Sequence, residues 1–185
     1  QHIAKLEMLQ NLSLAGTRIG GNALQHLAPL KNLTVLDLSG TPITDTTLQK
    51  FIAPRTGLRA LGLRGTSVTS GGMKFLKPLD QLQVLWLSRT AVSNNGIAQL
   101  ASLKSLHTID LSHTRIDGSA SQKLSELKAL RTLDLSGTQF TSTSADQLQQ
   151  ALESCKITHV PDPLIDALAA AGGKLDTALP TICEV

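Results

Sequence analysis

The chain has 185 residues with 17 basic and 14 acidic side chains, a net charge of +3, and no run of Lys and Arg; this excludes the electrostatic footprint of a nucleic-acid binder. An apolar fraction of 41% is enough for a core, yet no apolar run approaches the ~20 residues of a membrane-spanning helix. With three Phe, one Trp and no Tyr, the core must be aliphatic, and Trp86 is a rarity whose direction matters. No amino-terminal signal segment is visible, and two cysteines, Cys155 and Cys183, do not fix a redox compartment.

Read in chain order, the sequence is a repeat. "LQNLSLAGTRI" begins at Leu9, "LTVLDLSGTPI" at Leu33 and "LRALGLRGTSV" at Leu58. "LQVLWLSRTAV" begins at Leu82, "LHTIDLSHTRI" at Leu106 and "LRTLDLSGTQF" at Leu130, so the spacing is 24 residues with a single 25 after Leu33. Each unit reads L-x-x-L-x-L-x-x-T-x-Φ. The fourth and sixth positions alternate inward, as a short strand requires. One such strand cannot bury its face alone, whereas stacked copies build a continuous core. A Thr recurs where each strand ends, at Thr17, Thr41, Thr66, Thr90, Thr114 and Thr138. Its hydroxyl is expected to donate to a neighbouring backbone carbonyl and form a ladder along the stack.

After the strand, in most units, a polar residue suited to a helix N-cap appears, at Thr44, Thr69, Ser93, Asp117 and Thr141. Apolar residues follow at helical spacing, such as Ile97, Leu100 and Leu103. One or two turns of α or 3₁₀ helix per repeat are expected there. The extra residue of the 25-residue spacing is expected near "IAPRTG", as a small bulge on the convex side or its edge.

These units resemble the leucine-rich repeat family, over roughly residues 1–160. They are most similar to the bacterial and cysteine-containing-like subclass, with "GTPITDTTLQKF" as the nearest match to its variable part. The departure is uniform: Thr stands where that pattern usually has Asn or Cys. The resemblance implies an α/β solenoid, a horseshoe with a parallel concave β-sheet and short helical turns on its convex side. It implies a protein-interaction module with a protein or peptide ligand, no catalysis and no cofactor, and leans towards a secreted or host-delivered bacterial protein. The alternatives are the recognition domain of a larger enzyme whose catalytic part lies outside these residues, and a purely structural spacer.

The two ends differ. "QHIAKLEML" aligns with "LQHLAPLKNL", so residue 1 falls inside a repeat, and a fragment with an exposed first edge, prone to self-association, is expected. At the other end "SCKITHV" gives one more strand through Ile157. Residues 161–185 are expected to form a capping helix and tail. Asp162 would be its N-cap, Pro163 its first residue and Gly172 its stop. Leu164, Ile165, Leu168 and Ala169 would cover the last repeat.

The register names the concave positions. The fifth reads Ser13, Asp37, Gly62, Trp86, Asp110 and Asp134. Trp86 stands between inward Leu85 and Leu87, with Gly62 and Ala60 as a shelf beside it, Val35 and Val84 as apolar neighbours and Arg64 and Arg89 as a rim. Asp110 and Asp134 follow. A central aromatic with apolar neighbours and an Arg rim is the make-up of a protein-binding hot spot. Two local arrangements compete with it: Trp86 lying over Gly62, or Arg64 stacking on the indole. Asp37, Asp110 and Asp134 suit local hydrogen bonding. Asp110 with His107 and His113 lacks any metal-ligand spacing. Cys155, His159 and Asp162 make a catalytic set only on paper, because Cys155 falls at a packed repeat end. A Cys155–Cys183 disulfide requires the tail to fold back.

Overall fold

The computed structural model describes residues 5–161 and 163–170. Among these residues, seven three-residue strands form one parallel sheet in sequential order, β1 to β7. They are Asn11–Ser13, Val35–Asp37, Ala60–Gly62, Val84–Trp86, Thr108–Asp110, Thr132–Asp134 and Lys156–Thr158. The register carries no slip: Leu12, Leu36, Leu61, Leu85, Ile109, Leu133 and Ile157 stand side by side. Leu36, Leu61, Leu85 and Leu133 are fully buried, and so are Leu38, Leu63, Leu87, Leu111 and Leu135 two positions on. The repeat therefore encodes one aliphatic column per inward position, and the core is the sum of these columns. Backbone bonds tie neighbouring repeats beyond the strands, as in Leu63 N to the Trp86 carbonyl at 2.9 Å and Gly65 N to the Ser88 carbonyl at 2.8 Å.

The recurrent threonines work within repeats rather than between them. Each hydroxyl donates to the carbonyl three residues earlier in its own unit: Thr17 to Leu14 and Thr90 to Leu87, both at 2.6 Å, and likewise Thr41, Thr66, Thr114 and Thr138. This overturns the expected ladder. The strand ends in a tight corner, so the carbonyl nearest the hydroxyl belongs to the same chain turn, and in four units it also accepts the Thr amide, as Leu38 does from Thr41 N at 3.2 Å. The side-chain ladder along the stack lies elsewhere, at the entrance to the helical segments. Thr69 N donates to Asp45 Oδ1 and Ser93 N to Ser70 Oγ, both at 2.8 Å, and Asp117 N donates to Asn94 Oδ1 at 3.1 Å. A second column of parallel bridges accompanies these bonds, pairing Thr44 with Ser67, Thr69 with Ala91, Ser93 with Arg115 and Asp117 with Gln139.

The helical side is made of short pieces, as the spacing predicts. They include a 3₁₀ helix at Gly21–Leu27, α1 at Asp45–Thr47, α2 at Asn94–Leu100, α3 at Ser121–Leu124 and α4 at Ser142–Ala151. Thr44, Ser93, Asp117 and Thr141 are N-caps. Thr141 accepts from Ser144 N at 3.1 Å, and Asp117 accepts from Ser119 N at 2.8 Å. Thr69 is the exception: the helix of its repeat starts later, at Met73–Leu76 behind Gly72. Its hydroxyl is instead given to Asp45 Oδ2 at 2.6 Å.

The extra residue falls on the convex side at the start of "IAPRTG", as the spacing predicts, but in a helical form. It enters as a turn of π-helix at Leu48–Ile52, which runs into "IAPRTG", with Ala53 N reaching back five residues to the Leu48 carbonyl at 2.8 Å. A π-turn absorbs one residue inside a helix without disturbing the strands on either side. The Phe51 carbonyl is capped by Arg55 Nε at 3.0 Å, and burial lowers the pKa of that guanidinium.

Helix α5 spans Pro163–Ala170. Asp166 ties it to the array, accepting from Ser142 N at 2.8 Å and from Ser142 Oγ at 2.7 Å. Leu164, expected to cover the last repeat, is 80% exposed. Leu164 and Asp166 are two residues, about 200°, apart around a helix, so the bonds that turn Asp166 to Ser142 turn Leu164 away from the array. The expected N-cap Asp162 and stop Gly172 lie outside the described residues.

Candidate functional site on the concave sheet

Strand alternation puts Trp86 on the open face of the sheet, between Leu85 and Leu87, which are fully buried. The indole is half-buried. It stands in register with Gly62 on one side and Asp110 on the other, in the fourth of seven strands. Val35 and Val84, also half-buried, lie on the same face one pleat earlier.

Neither local arrangement proposed for Trp86 forms. Gly62 is covered by Asp37, whose carboxylate and the Ser39 hydroxyl occupy the space a Cβ would take. Gly62 and Ala60 are therefore a buried floor rather than an open shelf. Arg64 does not stack on the indole either; among the described residues the cation over a ring is Lys74 on Phe75, 5.0 Å from the centroid. Arg64 Nε donates to Ser88 Oγ at 2.7 Å and its Nη2 to Asp110 Oδ2 at 2.8 Å. The side chain thus runs from the third repeat, past the end of the Trp86 strand, to the fifth.

Asp110 ends this strut. Its Oδ1 accepts from Ser112 N at 3.0 Å and Ser112 Oγ at 2.6 Å. Burial opposes ionisation of this carboxyl, but the bonds from Ser112 and Arg64 outweigh it and hold the pKa below the ordinary value. Asp37 and Asp134 repeat the local part of the pattern, accepting from Ser39 N at 3.0 Å and Ser136 N at 2.9 Å. "D-L-S" is therefore a strand-end turn in which each Asp caps the amide two residues on. Asp110 differs by engaging both oxygens. His107 and His113 do not join it: His107 Nδ1 is 3.3 Å from Thr108 Oγ1, and the His113 ring lies over Gly137.

Two corners break a local rule. The residue after each strand's last inward pair has positive φ, and Gly fills it at Gly16, Gly40, Gly65 and Gly137, with φ of 62 to 69°. The fourth and fifth repeats place Arg89 there at φ 55° and His113 at φ 54°. Both side chains are exposed. A residue with a Cβ in this region carries a cost of about 1–2 kcal/mol. The sequence shows the substitution in "SRT" and "SHT" but not its strain.

Away from the sheet, two hollows of about 450 and 430 Å³ lie on the helical side and share Lys50 and Phe51 of the π-turn. The second is also lined by Lys31 and Arg55. Sequence reasoning did not single out these cations; the irregular 25-residue spacing was their one signal. Cys155 is buried, and burial raises the pKa of its thiol; its proposed disulfide partner Cys183 lies outside the described residues. His159 Nε2 sits 2.9 Å from the Phe140 carbonyl, not against Cys155. No described helix is long and apolar enough to cross a membrane.

Residues 30–51 match a family model described as Leucine Rich repeat, and residues 129–151 match another described as Leucine Rich Repeat. No curated protein matches the chain. Among solved structures it is similar to an internalin C2 of Listeria monocytogenes, with TM-score 0.68 and 26% identity over 85% of this chain and 64% of that one. It is also similar to a second Listeria monocytogenes internalin, with TM-score 0.65 and 24% identity over 89% of this chain and 47% of that one. A leucine-rich-repeat protein of Leptospira interrogans aligns with TM-score 0.60 and 21% identity over 84% of this chain and 38% of that one. The chain thus spans less than two thirds of the length of each of these structures.

Proposed function

The chain belongs to the leucine-rich repeat family, and on that premise we propose that it is a protein-interaction module whose concave face takes up a protein or peptide around Trp86. One observation carries the reading: the single Trp stands half-buried on the open face of the central strand, over a floor it does not need to cover. Asp37 already fills the space over Gly62, and Arg64 is drawn off to Asp110. The indole keeps an outward surface on a sheet whose backbone is held by its neighbours. Rigid presentation of this kind reduces the ordering cost of association. Val35 and Val84 extend the apolar patch, Arg89 borders it, and Arg64, Asp110 and Asp134 form its polar side. Leucine-rich repeats are typically non-catalytic binding modules, which agrees with this role.

Trp86 fluorescence tests the reading directly, because the chain has one Trp and no Tyr. An emission that is red-shifted and quenched by a soluble quencher is expected. Blue-shifted, protected emission in the monomer would show the indole already covered and would remove Trp86 from the binding face.

A further inference from the structure

We propose that the strand-exit edge beside Trp86 is a carboxylate-reading edge: Arg89 and His113 receive an acidic side chain of a protein partner whose neighbouring apolar side chain rests on Trp86. The inference rests on the concave-face reading above. It starts from the two corners where the chain accepts left-handed backbone without glycine. Four other repeats build the same corner with Gly, so the fold itself does not demand a side chain there. The strain is borne in two adjacent repeats, the one that carries Trp86 and the next. Backbone strain concentrated in this way points to a function for the side chains it carries.

Charge supplies the class of partner. Arg64 at this edge is already paired with Asp110 at 2.8 Å. Among the described residues, Arg89 makes no ion pair, and neither does Arg115, two residues beyond His113. Asp110, the acid that faces this edge, has both oxygens engaged. The edge is left with uncompensated positive charge and exposed donors, which matches a carboxylate. The middle of the sheet has the opposite sign, because Asp37 and Asp134 flank it. A partner's acidic group is therefore repelled from the centre towards the strand ends, and at the exit beside Trp86 it meets the exposed Arg89. Such complementarity fixes the orientation of a bound segment as well as its identity.

Glycine is what the left-handed corner prefers, so Arg89→Gly and His113→Gly remove the side chains without threatening the fold. The test pans short random peptides displayed on phage over the full chain, with Trp86→Ala as counter-selection. Peptides that depend on Trp86 are then measured against the parent and the combined Arg89→Gly/His113→Gly variant at low and high salt. The expected result is enrichment of Asp or Glu next to an apolar residue, with affinity falling by roughly tenfold or more in the glycine variant and falling with salt in the parent. Trp86-dependent peptides that lack acids, or that bind the glycine variant as tightly as the parent, would overturn the carboxylate-reading edge and leave the Trp86 face standing. Absence of any Trp86-dependent peptide would overturn both.

Discussion

Leu85 and Trp86 are consecutive residues with opposite surroundings, and the difference is testable. Leu85 is fully buried in the central column, so Leu85→Ala should cost about 2–5 kcal/mol by opening a cavity, read as a lowered denaturation midpoint. Trp86→Ala should shift that midpoint far less and weaken ligand binding by about 2 kcal/mol; equal losses of stability would contradict the register. Arg89 stores strain rather than stability. Arg89→Gly should raise stability by about 0.5–1 kcal/mol, the relief of the left-handed backbone less the extra chain entropy of glycine, as measured by thermal denaturation. Asp110 gives a pH signature. Its folded pKa lies below the ordinary carboxylate value through the bonds from Ser112 and Arg64, which outweigh burial. Its contribution is therefore complete above the ordinary range near pH 4 and is lost as pH falls towards the lower folded value. Asp110→Asn should flatten that part of the acid-unfolding profile and leave the neutral branch parallel to the parent.

Within one repeat, the elements divide the work of closing the chain. The strand-end Thr satisfies a carbonyl of its own corner, while the first residue of the helical segment reaches into the next repeat. Thr90 and Thr114 illustrate the first role, each donating at 2.6 Å to the carbonyl three residues back. Because the bonds do not connect with each other, Thr90→Ala and Thr114→Ala should each cost about 1 kcal/mol. Their double mutant should be additive within about 0.5 kcal/mol. A non-additive urea-denaturation result would restore a cooperative Thr ladder. Asn94 illustrates the second role: it donates to Asp117 and Ser119 at 2.9 and 2.7 Å and accepts from Asp117 N at 3.1 Å.

Across the whole molecule, each repeat leans only on its neighbours, so protection depends on position in the stack. The outer strands β1 and β7 each hold one half-buried residue between two exposed ones. Strand β3 is buried throughout, and the inward residues of β4 and β5 are covered on both sides. Amide hydrogen exchange should accordingly be slowest in β3, β4 and β5 and quicken towards both ends, in the manner of a one-dimensional stack. Uniform exchange along the sheet would mean the array unfolds as one unit.

Periodicity by itself determined the strands, their order, the inward leucines and the outward direction of Trp86, because a repeat that buries one face has a single register that keeps every Leu inside. The N-caps at Asp117 and Thr141 were legible for a similar reason: capping is a contact between residues close in sequence. Contacts between repeats were decided only by the tertiary structure. Arg64 and Asp110 lie 46 residues apart in the chain, and Asp45 and Thr69 lie 24 apart; no local pattern says which donor will meet which acceptor across the stack. The π-turn at Leu48–Ile52 belongs to the same class. The sequence counts one residue too many, but where that residue goes depends on how Phe51 and Ile52 pack against the repeats on either side.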